Sequence, residues 1–561
     1  MSELPSKDKA SPDAPVATNR RQLLEGLGLA GLFATLPSAT EAAGPPPKTA
    51  PSVSAVSDEA LRANVETIVV IFAENRSFNN LFAGFPGLEA PLSALAAGRY
   101  LQRDRDGNVL TTLPKIWGGL VKEAQIVNHQ TFKIVETDIQ DLPNAPFAIC
   151  SPDGDPLPQG VVTRDLVHAF YQNQMQINGG KNDGFVAWGD SGALVMGHYG
   201  DNNVNLRLWN LASQYTLCDN FFMGAFGGSF LNHQYLVAAQ PPYYPDCDKS
   251  PAKSLIAIMT DDDPKGIKLK PAASMPPSCM DGPARFVNSA MSPDFHVVNT
   301  MSPPYAPSMT RDEKNPLYGD PGNSRTLPPQ VHATIGDRLS EKGVDWAWYS
   351  GGWDLALSGK PDQVADFPSR PNFQDHHQPF NYFKRFAPGT EARQTHLRDA
   401  GVDETPRTNK FLADVAAGRL PPVTFYKPQG NLNMHAGYSD VDSGDRHVAN
   451  VVSALQAGPQ WKNMVVVITF DENGGWWDHV APPKGDRWGP GTRVPALVIS
   501  PFARKGYVDH TVYDTGSVSR LIIRRFGLDT LAGIKERDEG MMAKEGFKPG
   551  DLTNALIFDG A

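Results

Sequence analysis

The sequence predicts an α/β fold, a central and mostly parallel sheet with helices on both faces. Three observations lead there: short β-branched runs that are apolar throughout, segments of helical period between them, and polar motifs that begin where two of the runs stop. A strand that is apolar at every position has no solvent face, the pattern of a parallel sheet covered on both sides. In such sheets, sites gather at the carboxyl ends of strands.

Along the chain, the first 43 residues stand apart. They pass from a polar start through Asn19-Arg20-Arg21-Gln22-Leu23-Leu24 into a mildly apolar Gly/Ala/Leu stretch, then to small residues at Ser38-Ala39-Thr40-Glu41-Ala42-Ala43. Paired arginines, a short apolar segment and small residues for cleavage are the pattern of a bacterial twin-arginine export signal. The twin-arginine machinery is therefore an expected partner, and the expected location is periplasmic or secreted. The apolar stretch is shorter than the roughly 20 residues of a membrane span and contains Glu25, so no stable membrane span is expected there or elsewhere. Residues 44–62 read as a Pro/Ala/Ser linker, and one catalytic domain is expected over 63–561.

In that domain Val65-Glu66-Thr67-Ile68-Val69-Val70-Ile71-Phe72 is the first buried strand. Similar runs follow at 423–426, 464–470 and 494–499, with helical period over 331–342, 408–417, 446–457 and 515–526. The stretch 241–330 holds 17 prolines in 90 residues. That density supports neither long helices nor central strands, so an irregular insertion or lid is expected.

Composition bounds the function. With 561 residues, 40% hydrophobic, the chain is globular, and 51 Lys+Arg against 61 Asp+Glu give a net charge of −10. An acidic balance argues against a general nucleic-acid binder, which needs a basic footprint. Four cysteines in an oxidising destination are candidates for two disulfides, with Cys247–Cys279 the preferred pair and buried free thiols the alternative.

Chemistry is concentrated in three places. The first strand ends in Glu74-Asn75-Arg76-Ser77-Phe78, and the strand at 464–470 ends in Asp471-Glu472-Asn473-Gly474-Gly475-Trp476-Trp477-Asp478-His479. Were these strands neighbours, Glu74, Asn75, Asp471 and Glu472 would converge, and three carboxylates with an amide oxygen repel each other unless a cation binds. The third place is Gly227-Gly228-Ser229-Phe230-Leu231-Asn232-His233, where glycines without side-chain bulk precede a hydroxyl and leave room for a phosphate or sulfate. His168, His376, His377, His435 and His479 stand in polar or glycine-rich surroundings, as site histidines do.

These motifs, with Val480-Ala481-Pro482-Pro483 closing the last of them, resemble the bacterial phosphoesterase family of AcpA-type acid phosphatases and phosphocholine-preferring phospholipases C. That family is similar in fold to alkaline phosphatases. The resemblance implies one divalent metal ion held by Glu74, Asn75, Ser229, Asp471 and Glu472. It also implies catalysis through a phosphoserine at Ser229, with His168, His377 and His435 on the phosphoryl group. His376, His479 and Asn232 are expected to contact substrate. Five oxygen ligands suit a hard cation such as Ca²⁺, Mg²⁺, Mn²⁺ or iron. The expected activity is that of a metal-dependent acid phosphatase acting on a small phosphorylated substrate, and a protonated histidine acid predicts a mildly acidic optimum. The alternative is a phospholipase C, whose choline head group would want an aromatic cage built from Trp346, Trp348, Tyr349, Trp353, Trp476 and Trp477. The sequence departs from the family at Asn79, where members often carry Asp, and it stops at Ala561 without the added β-domains of the larger phospholipases.

Overall fold

The computed structural model describes residues 56–359, 372–402 and 407–558, so the expected export signal lies outside the described residues. The linker expectation needs correction at its end. Asp58–Asn64 is a helix, capped by the Ser57 side chain and anchored by buried Leu61.

Eight strands form the main sheet: β1 Thr67–Ala73, β2 Thr216–Cys218, β3 Trp346–Gly351, β4 Leu397–Gly401, β5 Val423–Lys427, β6 Met464–Phe470, β7 Ala496–Ile499 and β8 Tyr507–Asp509. Their order is β8-β2-β7-β6-β1-β5-β3-β4. Only β7 runs against its neighbours; the other pairings are parallel. The α/β class and the mostly parallel sheet are those the sequence predicts. Every residue of β1 and β6 is buried, which is why their sequences carry no polar alternation. Helices surround the sheet. The helical periods correspond to Ile335–Glu341, Lys410–Ala416, Val441–Ala457 and Gly516–Phe526.

Residues 241–330 contain short 3₁₀ turns and isolated bridges. Their buried residues, including Met259, Leu269, Met291 and Val298, join the same core as the sheet.

Two expectations are overturned. The cage aromatics are core residues: Trp346, Trp348 and Trp476 are wholly buried, and Tyr349, Trp353 and Trp477 are at most 3% exposed. Trp346, Trp348 and Tyr349 belong to β3, where aromatic side chains fill the pleated surface. All four cysteines are free thiols, so the Cys247–Cys279 pairing is also corrected. The Cys247 thiol packs on Met291, Sγ to Sδ 3.4 Å, whereas the Cys279 backbone N–H donates to Asp104 at 3.2 Å. Among the described residues no helix is long and apolar enough to cross a membrane.

Candidate active site

β1 and β6 are parallel neighbours with Ala73 opposite Phe470. The residues that follow them therefore emerge together. The Asp471 N–H donates to the Ala73 carbonyl at 3.1 Å, and the Asn75 N–H to Asp471 Oδ1 at 3.0 Å. Asn75 takes a positive φ of 41°, and Gly474 closes over it so tightly that a Cβ would lie 2.1 Å from the Asn75 carbonyl oxygen. The Gly-Gly after the acidic pair thus lets one strand-end turn seat on the other.

Glu74, Asn75, Asp471 and Glu472 are fully buried. Burial pushes Asp471 above the carboxylate range, with the Glu74 charge adding to it. Glu472 is raised well above that range by burial, although His168 opposes the shift. Glu74 differs: burial raises it, but Lys427 and His377 more than reverse this and hold it well below. Two carboxyls that resist ionisation side by side are stable with either protons or a cation between them. The donors fit a divalent ion, because Asp471 Oδ2 and the nearby His233 Nε2 are buried and make no hydrogen bond.

Ser229 opens the helix Ser229–Ala238, and its Oγ donates to Glu472 Oε1 at 3.4 Å. One turn later His233 sits on the same helix face, Nδ1 2.7 Å from the Ser229 carbonyl oxygen and 3.7 Å from Asp471 Oδ2. Gly227 and Gly228 pack against the backbone of 168–170, which sets His168 beside the serine.

The histidines fall into two groups. His168 Nε2 lies 3.9 Å from Glu472 Oε1 and its ring 5.4 Å from that of His435. Burial alone would lower His168, but Glu472 and Asp165 push it up to about 9. His435 is driven down by burial to about 4; its Nε2 lies 3.9 Å from Glu74 Oε2 and its ring stacks on Tyr438. His377 and His376 approach Glu74 Oε1 from the other side, Nε2 at 2.8 and 3.8 Å. Burial lowers both.

Two expected substrate contacts are corrected. Asn232 is fully buried with its amide spent on the turn before Ser229, accepting from the Ala225 N–H at 2.9 Å and donating to the Ala225 and Gly228 carbonyls. His479 has both ring nitrogens engaged, with Asn79 Oδ1 at 2.9 Å and the Ala90 carbonyl at 3.0 Å. Its neighbour Asp478 pairs with buried Arg493 at 3.1 Å. This half of the motif braces the loop, and Asn79 belongs to that brace.

Sequence reasoning missed Asp165, His233, Lys427 and Tyr438. Three constellations present ligand atoms within 4.8 Å of one another: Glu74/His376/His377, Asp165/His168/His435 and Glu74/His233/Asp471. Nitrogen donors therefore accompany the expected oxygen set. For His233 the signal was its four-residue spacing from Ser229; for Lys427, its place at the end of a strand that pairs with β1.

Buried carboxyls able to take a cation between them, beside a hydroxyl at the start of a helix, suit an α/β protein to metal-assisted ester cleavage. The comparison with known proteins names the group. The model of the Phosphoesterase family matches residues 65–529, and the chain belongs to that family. It is 28% identical over 227 residues to the non-hemolytic phospholipase C of Pseudomonas aeruginosa, covering 35% of this chain and 30% of that protein. It is 31% identical over 173 residues to phospholipase C B of Mycobacterium tuberculosis, covering 26% and 32%. The chain spans about a third of the length of the curated relatives it matches. Among solved structures it is similar to a protein in the alkaline phosphatase superfamily from Vibrio parahaemolyticus, with 9% identity, a TM-score of 0.29, and coverage of 68% of this chain and 73% of that one.

Proposed function

We propose that the protein hydrolyses phosphomonoesters through a covalent phosphoserine at Ser229. The observation that carries this reading is the Ser229 hydroxyl on the first residue of its helix, directed at Glu472 and flanked by His168. A divalent ion held by Asn75, Asp471, Glu472 and the Ser229 oxygen, with Glu74 alongside, would supply charge that favours the alkoxide and neutralises the phosphoryl group. Ser229 Oγ, its hydroxyl proton lost to solvent as the alkoxide forms, makes its bond to phosphorus as the ester oxygen leaves. His168, set beside the serine by the close packing of Gly228, gives its proton to the leaving alkoxide. His435, His376 and His377 line the cluster from the side of Glu74. Water then cleaves the phosphoserine and releases phosphate.

In the same reading residues 1–43 direct twin-arginine export, and 63–561 form one catalytic domain. The monoester is preferred because the aromatics that would cage a choline head group lie in the core. A second reading, cleavage of phospholipid diesters, is favoured by the names of the relatives. The test is a pair of assays on a chromogenic phosphomonoester and on phosphatidylcholine vesicles, with acid-quench trapping of phosphoserine. Turnover of the lipid alone overturns the monoester reading, and turnover by Ser229→Ala overturns the covalent route.

A further inference from the structure

The mechanism above gives no role to Lys427. Lys427, the last residue of β5, is 0% exposed, and its Nζ lies 2.6 Å from Glu74 Oε1 while donating to the Phe72 carbonyl at 3.2 Å. The same Glu74 oxygen lies 2.8 Å from His377 Nε2 and 3.8 Å from His376 Nε2. Its other oxygen accepts from the Tyr438 hydroxyl at 2.8 Å.

Glu74, His376 and His377 form one of the constellations whose ligand atoms lie within 4.8 Å of one another. That is close to the spread of donors around one ion, since ligands at about 2.0–2.2 Å from a metal stand up to about 4.4 Å apart. His376 Nε2, 3.8 Å from that Glu74 oxygen, is buried and makes no hydrogen bond. The Lys427 ammonium contacts the same Glu74 oxygen that both imidazoles approach. Glu74, Asp471 and Glu472 together carry three negative charges when ionised, and one ammonium plus one divalent ion balance them.

We infer that Lys427 is a resident cation, standing where Glu74, His376 and His377 would otherwise bind a second divalent ion, and so fixes the centre at one metal. An ammonium tethered to a strand end cannot exchange with solvent ions and offers no open coordination position. Lys427 is thus a positioning residue: it holds Glu74 in place and leaves the phosphoryl group a single ion to meet. The inference rests on the reading that Asp471 and Glu472 hold that ion.

The test is metal content, with Mn²⁺ as the probe, measured on dialysed full-length protein by elemental analysis and by electron paramagnetic resonance. One Mn²⁺ per chain is expected for wild type and for Lys427→Arg. Two are expected for Lys427→Met, with the dipolar broadening of neighbouring ions, falling to one when His376→Ala is added. A single ion in a folded Lys427→Met overturns the inference, as do two ions in wild type. Should Lys427→Met not fold, His376→Ala in the wild-type background decides: unchanged Mn²⁺ affinity supports the inference, and a tenfold or greater loss overturns it. Wild type that binds no divalent ion overturns the underlying metal reading as well.

Discussion

Gly228 lies against His168 so closely that a Cβ added to it would stand 2.5 Å from the His168 carbonyl oxygen and 3.0 Å from its Cδ2. The segment that presents the serine and the segment that presents His168 are in close contact, so their relative position depends on a missing methyl group.

Gly228→Ala should therefore separate Ser229 from His168. A displacement near 1 Å in a reacting constellation costs on the order of 10²-fold in rate, and forced overpacking costs about 1–3 kcal/mol. We expect kcat for a phosphomonoester to fall about 100-fold while the protein still folds. Single-turnover kinetics and a thermal melt on the same preparation check it.

The Asp478–Arg493 pair predicts a stability effect. Arg493 donates to Asp478 at 3.1 Å and to the Asp219 carbonyl at 3.0 Å, and both side chains are buried. Arg493→Met leaves the Asp478 charge buried without its partner, a change that costs about 3–5 kcal/mol. Chemical denaturation of the two proteins at neutral pH measures it.

Asp514 predicts a pH dependence. It is buried between Arg520 and Arg537, at 2.8 and 2.7 Å. Burial raises its carboxyl, and the two guanidinium groups more than reverse this, leaving it below its ordinary value. A depressed folded-state pKa stabilises fully above the unfolded value of about 3.9 and is lost as pH falls through the folded value. Wild type should exceed Asp514→Asn in urea midpoint near neutrality, and the gap should close below about pH 4. A gap that widens on acidification would show the sign to be wrong.

Metal binding should release protons. Asp471 and Glu472 are both raised by burial, and a bound cation requires them ionised. Affinity for Mn²⁺ should rise with pH across the neutral range. Titration calorimetry in buffers of different ionisation enthalpy reads the protons released, and a chelator should abolish turnover reversibly.

The sheet was legible where strands are apolar at every position, as β1 and β6 are, and the acidic motifs after them were legible for the same reason: an abrupt change from Val and Ile to Glu, Asn and Asp stands out. β3 was hidden because its aromatics suggested a binding surface. β2 and β8 have three residues each, too few to show a period. Lys427 escaped notice because a polar residue at a strand end reads as the strand's termination, and its approach to Glu74 depends on β1 and β5 pairing across more than 350 residues. Asn232 and His479 were misread since a polar side chain in a motif looks the same whether it faces a ligand or braces the backbone.

The four free thiols carry a last consequence. No covalent cross-link ties the core together, so its stability rests on packing and hydrogen bonds alone, and addition of a reductant should leave its melting temperature unchanged.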